Sequence, residues 1–261
     1  MNAARQSVLH SEELSKHFGG LVALDNLDLQ VYKREILGLI GPNGSGKTTF
    51  FNVITGIYEL TAGTITFDGK NITNHPPQEV YRFGITRTFQ RSRLYVSLSI
   101  FDNIVIGNHK VLNSGLWFNL FQRRAFQKQF EQNYEEAREI LNIFAPHLID
   151  NMFAEISGIP MIDRRRIEIC RALISRPKLL LLDEPSAGMT HDETRQLMDE
   201  ILEIRRRLED LTIILIEHEM NVIERVTDRC IVLNYGEKIC EGAYAEVAAD
   251  SLVRKAYLGY E

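Results

Sequence analysis

Gly41-Pro42-Asn43-Gly44-Ser45-Gly46-Lys47-Thr48 is entered from the almost wholly apolar run Glu35-Ile36-Leu37-Gly38-Leu39-Ile40 and leaves into a helical pattern over Thr48–Thr55. The form GxxxxGK[ST] between a strand and a helix makes a loop that wraps phosphate. Phosphate oxygens need many donors at close range. Glycines let successive backbone N–H groups turn inward, and the following helix adds the positive end of its dipole. In that arrangement Gly41, Asn43, Gly44, Ser45, Gly46 and Thr49 surround the phosphates, Lys47 reaches the β- and γ-phosphates, and Thr48 ligates Mg²⁺.

A companion element sits far along the chain. Leu179-Leu180-Leu181-Leu182 reads as a fully buried strand, and Asp183-Glu184 stand at its C-terminal end, where α/β proteins place their ligands. Asp183 is positioned to hold Mg²⁺ through its water shell, and Glu184 to polarise an attacking water as general base. A second apolar strand, Thr212–Ile216, ends at Glu217-His218, which makes His218 a candidate for contacting the γ-phosphate.

The fold class that follows is α/β, a P-loop NTPase core with a small antiparallel β part and an inserted helical subdomain. Apolar and polar residues alternate at Val8, His10, Glu12 and Leu14, and Leu27, Leu29 and Val31 continue the half-buried pattern. Thr64–Phe67 before Asp68-Gly69 reads as a strand and tight turn, and Cys230–Leu233 and Glu237–Cys240 flank Asn234-Tyr235-Gly236 as a hairpin. From Leu98 to Ile159 the period turns helical, as at Ala125, Gln129, Tyr134, Ala137, Ile140, Leu141 and Phe144. The expected division is one domain over 1–261, with the nucleotide-binding core at 1–90 and 173–261 and a helical subdomain at about 91–172. Within it, Leu112–Phe121 is either a partner- or membrane-facing patch or the packing of the insertion's own helices.

Composition narrows the class. A chain of 261 residues, 44% hydrophobic and 25% charged, has the profile of an ordinary globular protein, and its net charge of −5 argues against a nucleic-acid partner. Cys170, Cys230 and Cys240 form no CxxC pair and are expected as buried free thiols in a reducing compartment. There is no signal region, and no apolar run reaches the roughly 18–20 residues that span a bilayer. A cytoplasmic protein that borrows any membrane role from a partner is the expectation.

Phosphate loop, Thr88-Phe89-Gln90, helical insertion, Leu182-Asp183-Glu184-Pro185 and Glu217-His218 occur in the order of ABC-transporter ATP-binding subunits, and this resemblance covers almost the whole chain. It implies that Gln90 senses the γ-phosphate and Mg²⁺, that His218 is the switch histidine, and that Phe18 in His17-Phe18-Gly19-Gly20 stacks on adenine. Ile85-Thr86-Arg87-Thr88-Phe89-Gln90, the insertion at about 108–135, Ala187-Gly188-Met189 and Ala256-Tyr257-Leu258-Gly259 are similar to the longer ATPase of branched-chain amino-acid or urea/amide importers. The resemblance implies ATP and Mg²⁺ as cofactors and ATP hydrolysis that drives uptake of a small polar solute. It also implies integral-membrane permease subunits, an extracytoplasmic solute-binding protein at one remove, and a peripheral place on the cytoplasmic face of the membrane. A soluble ABC-type ATPase not tied to transport, and a regulatory nucleotide-binding subunit with weak catalysis, are the alternatives.

The sequence departs from the family at one motif. The signature Leu-Ser-Gly-Gly-Gln belongs a fixed distance before Cys170-Arg171-Ala172-Leu173. An ungapped count puts Ile159-Pro160-Met161-Ile162-Asp163 there, while Ser157-Gly158 serves only with a three-residue insertion. In this family two ATPases sandwich two ATPs, and each signature completes the partner's site. A chain with a sound phosphate loop and a degraded signature is expected beside a different ATPase subunit rather than as a homodimer. Thr190 stands where the family carries the D-loop aspartate.

Overall fold

The computed structural model describes residues 6–90, 93–108 and 122–258. From the N-terminus run β1 (Ser7–Phe18), β2 (Leu21–Tyr32), β3 (Ile36–Ile40), α1 (Lys47–Ile54), β4 (Ala62–Phe67), β5 (Lys70–Asn71), α2 (Pro77–Phe83) and β6 (Ile85–Arg87). There follow α3 (Ile100–Val105), α4 (Arg123–Phe144), α5 (Met161–Leu173), β7 (Leu179–Asp183), α6 (His191–Arg207), β8 (Thr212–Ile216) and α7 (Met220–Val226). The last elements are β9 (Arg229–Asn234), β10 (Glu237–Gly242), α8 (Tyr244–Ala249) and α9 (Ser251–Leu258). Two compact units form: Met1–Arg87 with Lys178–Pro185 and Leu208–Glu261, and Thr88–Pro177 with Ser186–Arg207.

The first unit holds all the described strands of both sheets. One sheet has the order β10-β9-β3-β8-β7-β6, parallel throughout except for the β10–β9 pair. Strands β3, β7 and β8 are buried residue by residue, because both faces of a central parallel strand are covered, so their sequences read as unbroken apolar runs. Their adjacency brings the loops after β3, β7 and β8 out side by side at one edge. The other sheet, β2-β1-β4-β5, is antiparallel. Its alternation breaks at a bulge between Ser11 and Leu14, where Glu13 takes φ 48°. Helix α1 sends Phe50, Phe51, Val53 and Ile54 into one core with residues of both sheets, including Leu9, Leu29 and Phe67 from one and Leu39, Leu181 and Ile214 from the other.

The second unit is helical. Helix α4 buries Ala137, Ile140, Leu141 and Phe144 at the expected spacing. Two expectations need correction. Residues 173–261 do not all belong with the α/β core, because Ser186–Arg207 groups with the helices. Its helix α6 buries Leu197, Met198, Ile201 and Ile204 and contacts α4 and α5, and Glu200 takes both arms of Arg166 on α5 at 2.6 and 2.9 Å. Cys240 is half-buried rather than buried, since it lies on the edge strand β10, whereas Cys170 and Cys230 are fully enclosed. The apolar cluster Leu112–Phe121 lies outside the described residues, as does Gly259. Among the described residues no helix is long and apolar enough to cross a membrane.

Candidate functional site

The phosphate loop is built by a backbone that only glycine allows at its entrance. Gly41 takes φ 149°, and a Cβ there would lie 2.1 Å from the Leu233 carbonyl oxygen. The loop then closes on itself: Ser45 N–H donates to Pro42 O at 3.2 Å, and Gly236 N–H donates to Ser45 O at 3.0 Å. Helix α1 starts at Lys47, so the N–H groups of its first turn have no intrahelical acceptor and face the loop's mouth. Lys47 Nζ donates to Gly41 O at 2.8 Å and Pro42 O at 3.0 Å. Burial pushes its ammonium below the ordinary lysine pKa, while the Glu184 and Asp183 carboxylates pull it back up. Thr48 is exposed and Thr49 half-buried.

At the ends of β7 and β8 stand the acidic and imidazole groups. Glu184 takes φ 48°, a left-handed conformation that is strained for a residue with a Cβ. Its N–H donates to Ile216 O at 3.0 Å, which fixes that turn to β8. Glu184 Oε1 and His218 Nε2 are 2.6 Å apart, with the imidazole the more exposed partner. Asp183 is 3% exposed, and its Oδ2 receives Arg87 Nη2 at 2.6 Å. Arg87 is a residue that motif reading missed. It ends β6 with its side chain 6% exposed, a burial that demands an anionic partner.

Phe18, Asn43–Thr49, Glu184 and His218 line one cleft of about 310 Å³ together with Leu21, Val22 and Ala23. Phe18 meets Tyr58 edge-on at 5.2 Å, and Lys16 Nζ lies 4.7 Å from the Phe18 ring centre. Gly41 and Asp183 stand at the strand ends behind that lining. Tyr58 has no motif to announce it.

Gln90 belongs to the second unit, and its side chain is exposed. Its segment is fastened by α5: Arg165 donates to Phe89 O at 3.0 Å and Gln90 O at 3.3 Å, and is itself held by Glu168 at 2.7 Å. Helix α5 begins at Met161 with Pro160 as its N-cap, and no side chain caps it. Asp163 in its first turn is taken by Arg166 at 2.6 Å and His147 at 3.1 Å. Thr190 caps α6 in a reciprocal box, giving its hydroxyl and N–H to Glu193 and accepting from Glu193 N–H.

Known proteins share this arrangement. The sequence profile of the family described as "ABC transporter" matches residues 24–187, and that of the "Branched-chain amino acid ATP-binding cassette transporter" matches 237–261. The high-affinity branched-chain amino acid transport ATP-binding protein LivG of Salmonella typhimurium is 37% identical over 97% of this chain and 98% of its own length. BraF of Pseudomonas aeruginosa, of the same description, is 35% identical over 97% and 98%. A nucleotide-free ATP-binding cassette from an ABC transporter superposes with a TM-score of 0.83 at 31% identity, covering 98% of this chain and 100% of that one. The ADP conformation of such a cassette matches equally well, with the same TM-score of 0.83. A cleft lined by the glycine-rich loop at the edge of a parallel sheet, a helical second unit and relatives matched over nearly their whole length agree, and the chain belongs to the ABC-transporter ATP-binding subunits.

Proposed function

We propose that this chain hydrolyses ATP to power uptake of branched-chain amino acids, with Glu184 as general base. The observation that carries the catalytic part is the Glu184–His218 pair at 2.6 Å, lining the same cleft as Lys47. Lys47, resting on two loop carbonyls, is the cation that transfers to the β- and γ-phosphates. The loop glycines with Asn43, Ser45 and Thr49 hold the phosphates, and Phe18, with Tyr58 at its edge, takes the base. Glu184 accepts the proton of the attacking water, and His218 orients that water and the γ-phosphate. Gln90 has the sensing role that the family motif gives it. The solute follows from the full-length relatives, which are described as branched-chain amino acid transport proteins.

Mg²⁺ suits the donors present. Thr48 offers a hydroxyl, Gln90 an amide oxygen, and Asp183 a carboxylate to the ion's water shell, hard oxygen groups that leave room for phosphate oxygens. When bound it neutralises charge on the β- and γ-phosphates.

The partners are integral-membrane permease subunits and a second ATPase, with the chain peripheral on the cytoplasmic face. A different ATPase is favoured over a second copy. Pro160 brings neither hydroxyl nor N–H to the start of α5, and the Asp163 carboxylate in its first turn, held by Arg166, is an acceptor and not a donor, which supports a signature that serves phosphate poorly.

Glu184→Gln tests the base. Turnover should fall at least about a hundredfold while ATP binding stays; undiminished turnover would remove Glu184 from that role. Cells lacking this chain should lose uptake of labelled leucine, isoleucine and valine, and unchanged uptake would overturn the solute.

A further inference from the structure

Arg87 connects two of the elements that carry groups proposed to hold the metal. Thr48 lies in the first turn of α1, and Asp183 ends β7. From β6, Arg87 donates one arm to Asp183 Oδ2 at 2.6 Å and the other to Asn52 Oδ1, on α1, at 2.6 Å. Its guanidinium carbon lies 5.2 Å from the ring centre of Phe51, also on α1. The Arg87 and Asp183 side chains are 6% and 4% exposed, so water supplies little competition. A planar fork spanning two acceptors holds both in a fixed relation, which a lysine cannot do.

We propose that Arg87 is a positioning residue for the metal–nucleotide complex, a buried tether that sets Asp183 against α1 and so fixes the spacing of Thr48 and Asp183, two of the groups that hold Mg²⁺. With Thr48 offering its hydroxyl to the metal and Asp183 holding the water shell, slack between the two groups would cost metal binding before it costs phosphate binding. Arg87 acts through Asp183 and Asn52.

The inference rests on the nucleotide-site reading, and its test separates the two. Binding of labelled ATP to the full chain is measured with excess Mg²⁺ and again with EDTA. Arg87→Lys keeps the charge but loses the fork. It should reduce the Mg²⁺-dependent gain in affinity about tenfold while the affinity in EDTA changes less than about twofold. Asn52→Ala, which cuts only the α1 arm, should lower the same ratio by about threefold. If Arg87→Lys keeps the wild-type ratio, or loses affinity equally with and without Mg²⁺, the tether is wrong. If the wild-type chain gains nothing from Mg²⁺, the metal assignment falls and takes the tether with it.

Discussion

Helices α1 and α5 both begin where a tight loop leaves the first N–H groups without intrahelical acceptors, yet their side chains prepare those ends for opposite purposes. The start of α1 has no acid in its first turn, a lysine at its first position, and a glycine, Gly46, as N-cap. The start of α5 has Pro160 as N-cap and Asp163 in its first turn, with Ile162 buried beside it. One backbone feature supplies a positive dipole end in both places. Whether an anion can use it is decided by what the flanking residues add or withhold. On the proposed reading, the chain is equipped to hold ATP itself and depleted as a contributor to a neighbour's ATP.

The largest expected effect comes from breaking the α1 end. Gly41→Ala drives a methyl to within 2.1 Å of Leu233 O and should displace the two carbonyls, of Gly41 and Pro42, that steady Lys47. Loss of two charge-assisted contacts corresponds to about a hundredfold in ATP affinity, measured by equilibrium binding. Gly44→Ala is the control within the same loop. Its φ is 80°, but a Cβ there meets nothing within 4 Å, so only the conformational cost of about 1–2 kcal/mol applies. Equal damage from both variants would show that loop chemistry, and not the close approach at Gly41, sets the affinity.

The second expectation repairs the α5 end. Pro160→Ser with Ile162→Gly returns a hydroxyl, an N–H and a small residue to the signature position. Each donor to a developing phosphate charge is worth tenfold or more, so turnover by the chain alone should rise at least about tenfold. An unchanged rate would show that the depleted signature is not what limits a pair of identical chains.

This contrast was half legible in the sequence. Glycine spacing and Lys47 announced the α1 end because a phosphate loop is a local device, all of whose donors are contiguous. Pro160 and Asp163 announced the depletion of α5 for the same reason. The groups that support the site were not legible in this way. Arg87 meets Asp183 across 96 positions of sequence, and Tyr58 reaches Phe18 across 40, pairings created by strand order and loop packing. The grouping of α6 with the helical unit was equally hidden. Its apolar stripe fits a helix on a sheet as well as a helix on helices, and its contacts with α4 and α5, Glu200 meeting Arg166 among them, show which was built.

The smallest effect is expected at Thr190, where the family's aspartate is replaced. Here the departure has a structural cause of its own, and that separates it from the departure at Pro160. The threonine hydroxyl receives Glu193 N–H at 3.3 Å and gives its hydrogen to Glu193 Oε2 at 2.9 Å, so the residue closes the start of α6 without any neighbour's help. An N-cap hydroxyl is modest in weight. Thr190→Ala should lower the melting temperature by about 2–4 °C and leave ATP affinity unchanged. Thr190→Asp should cost less than Thr190→Ala, because aspartate also caps, although it meets Glu193 with a like charge and loses the hydroxyl's donated bond. Should Thr190→Ala reduce ATP turnover while the melting temperature holds, Thr190 would be acting on a nucleotide and not on its helix. The segment after Ala187-Gly188-Met189 would then share in catalysis, and the depletion seen at α5 would no longer describe everything this chain offers a partner.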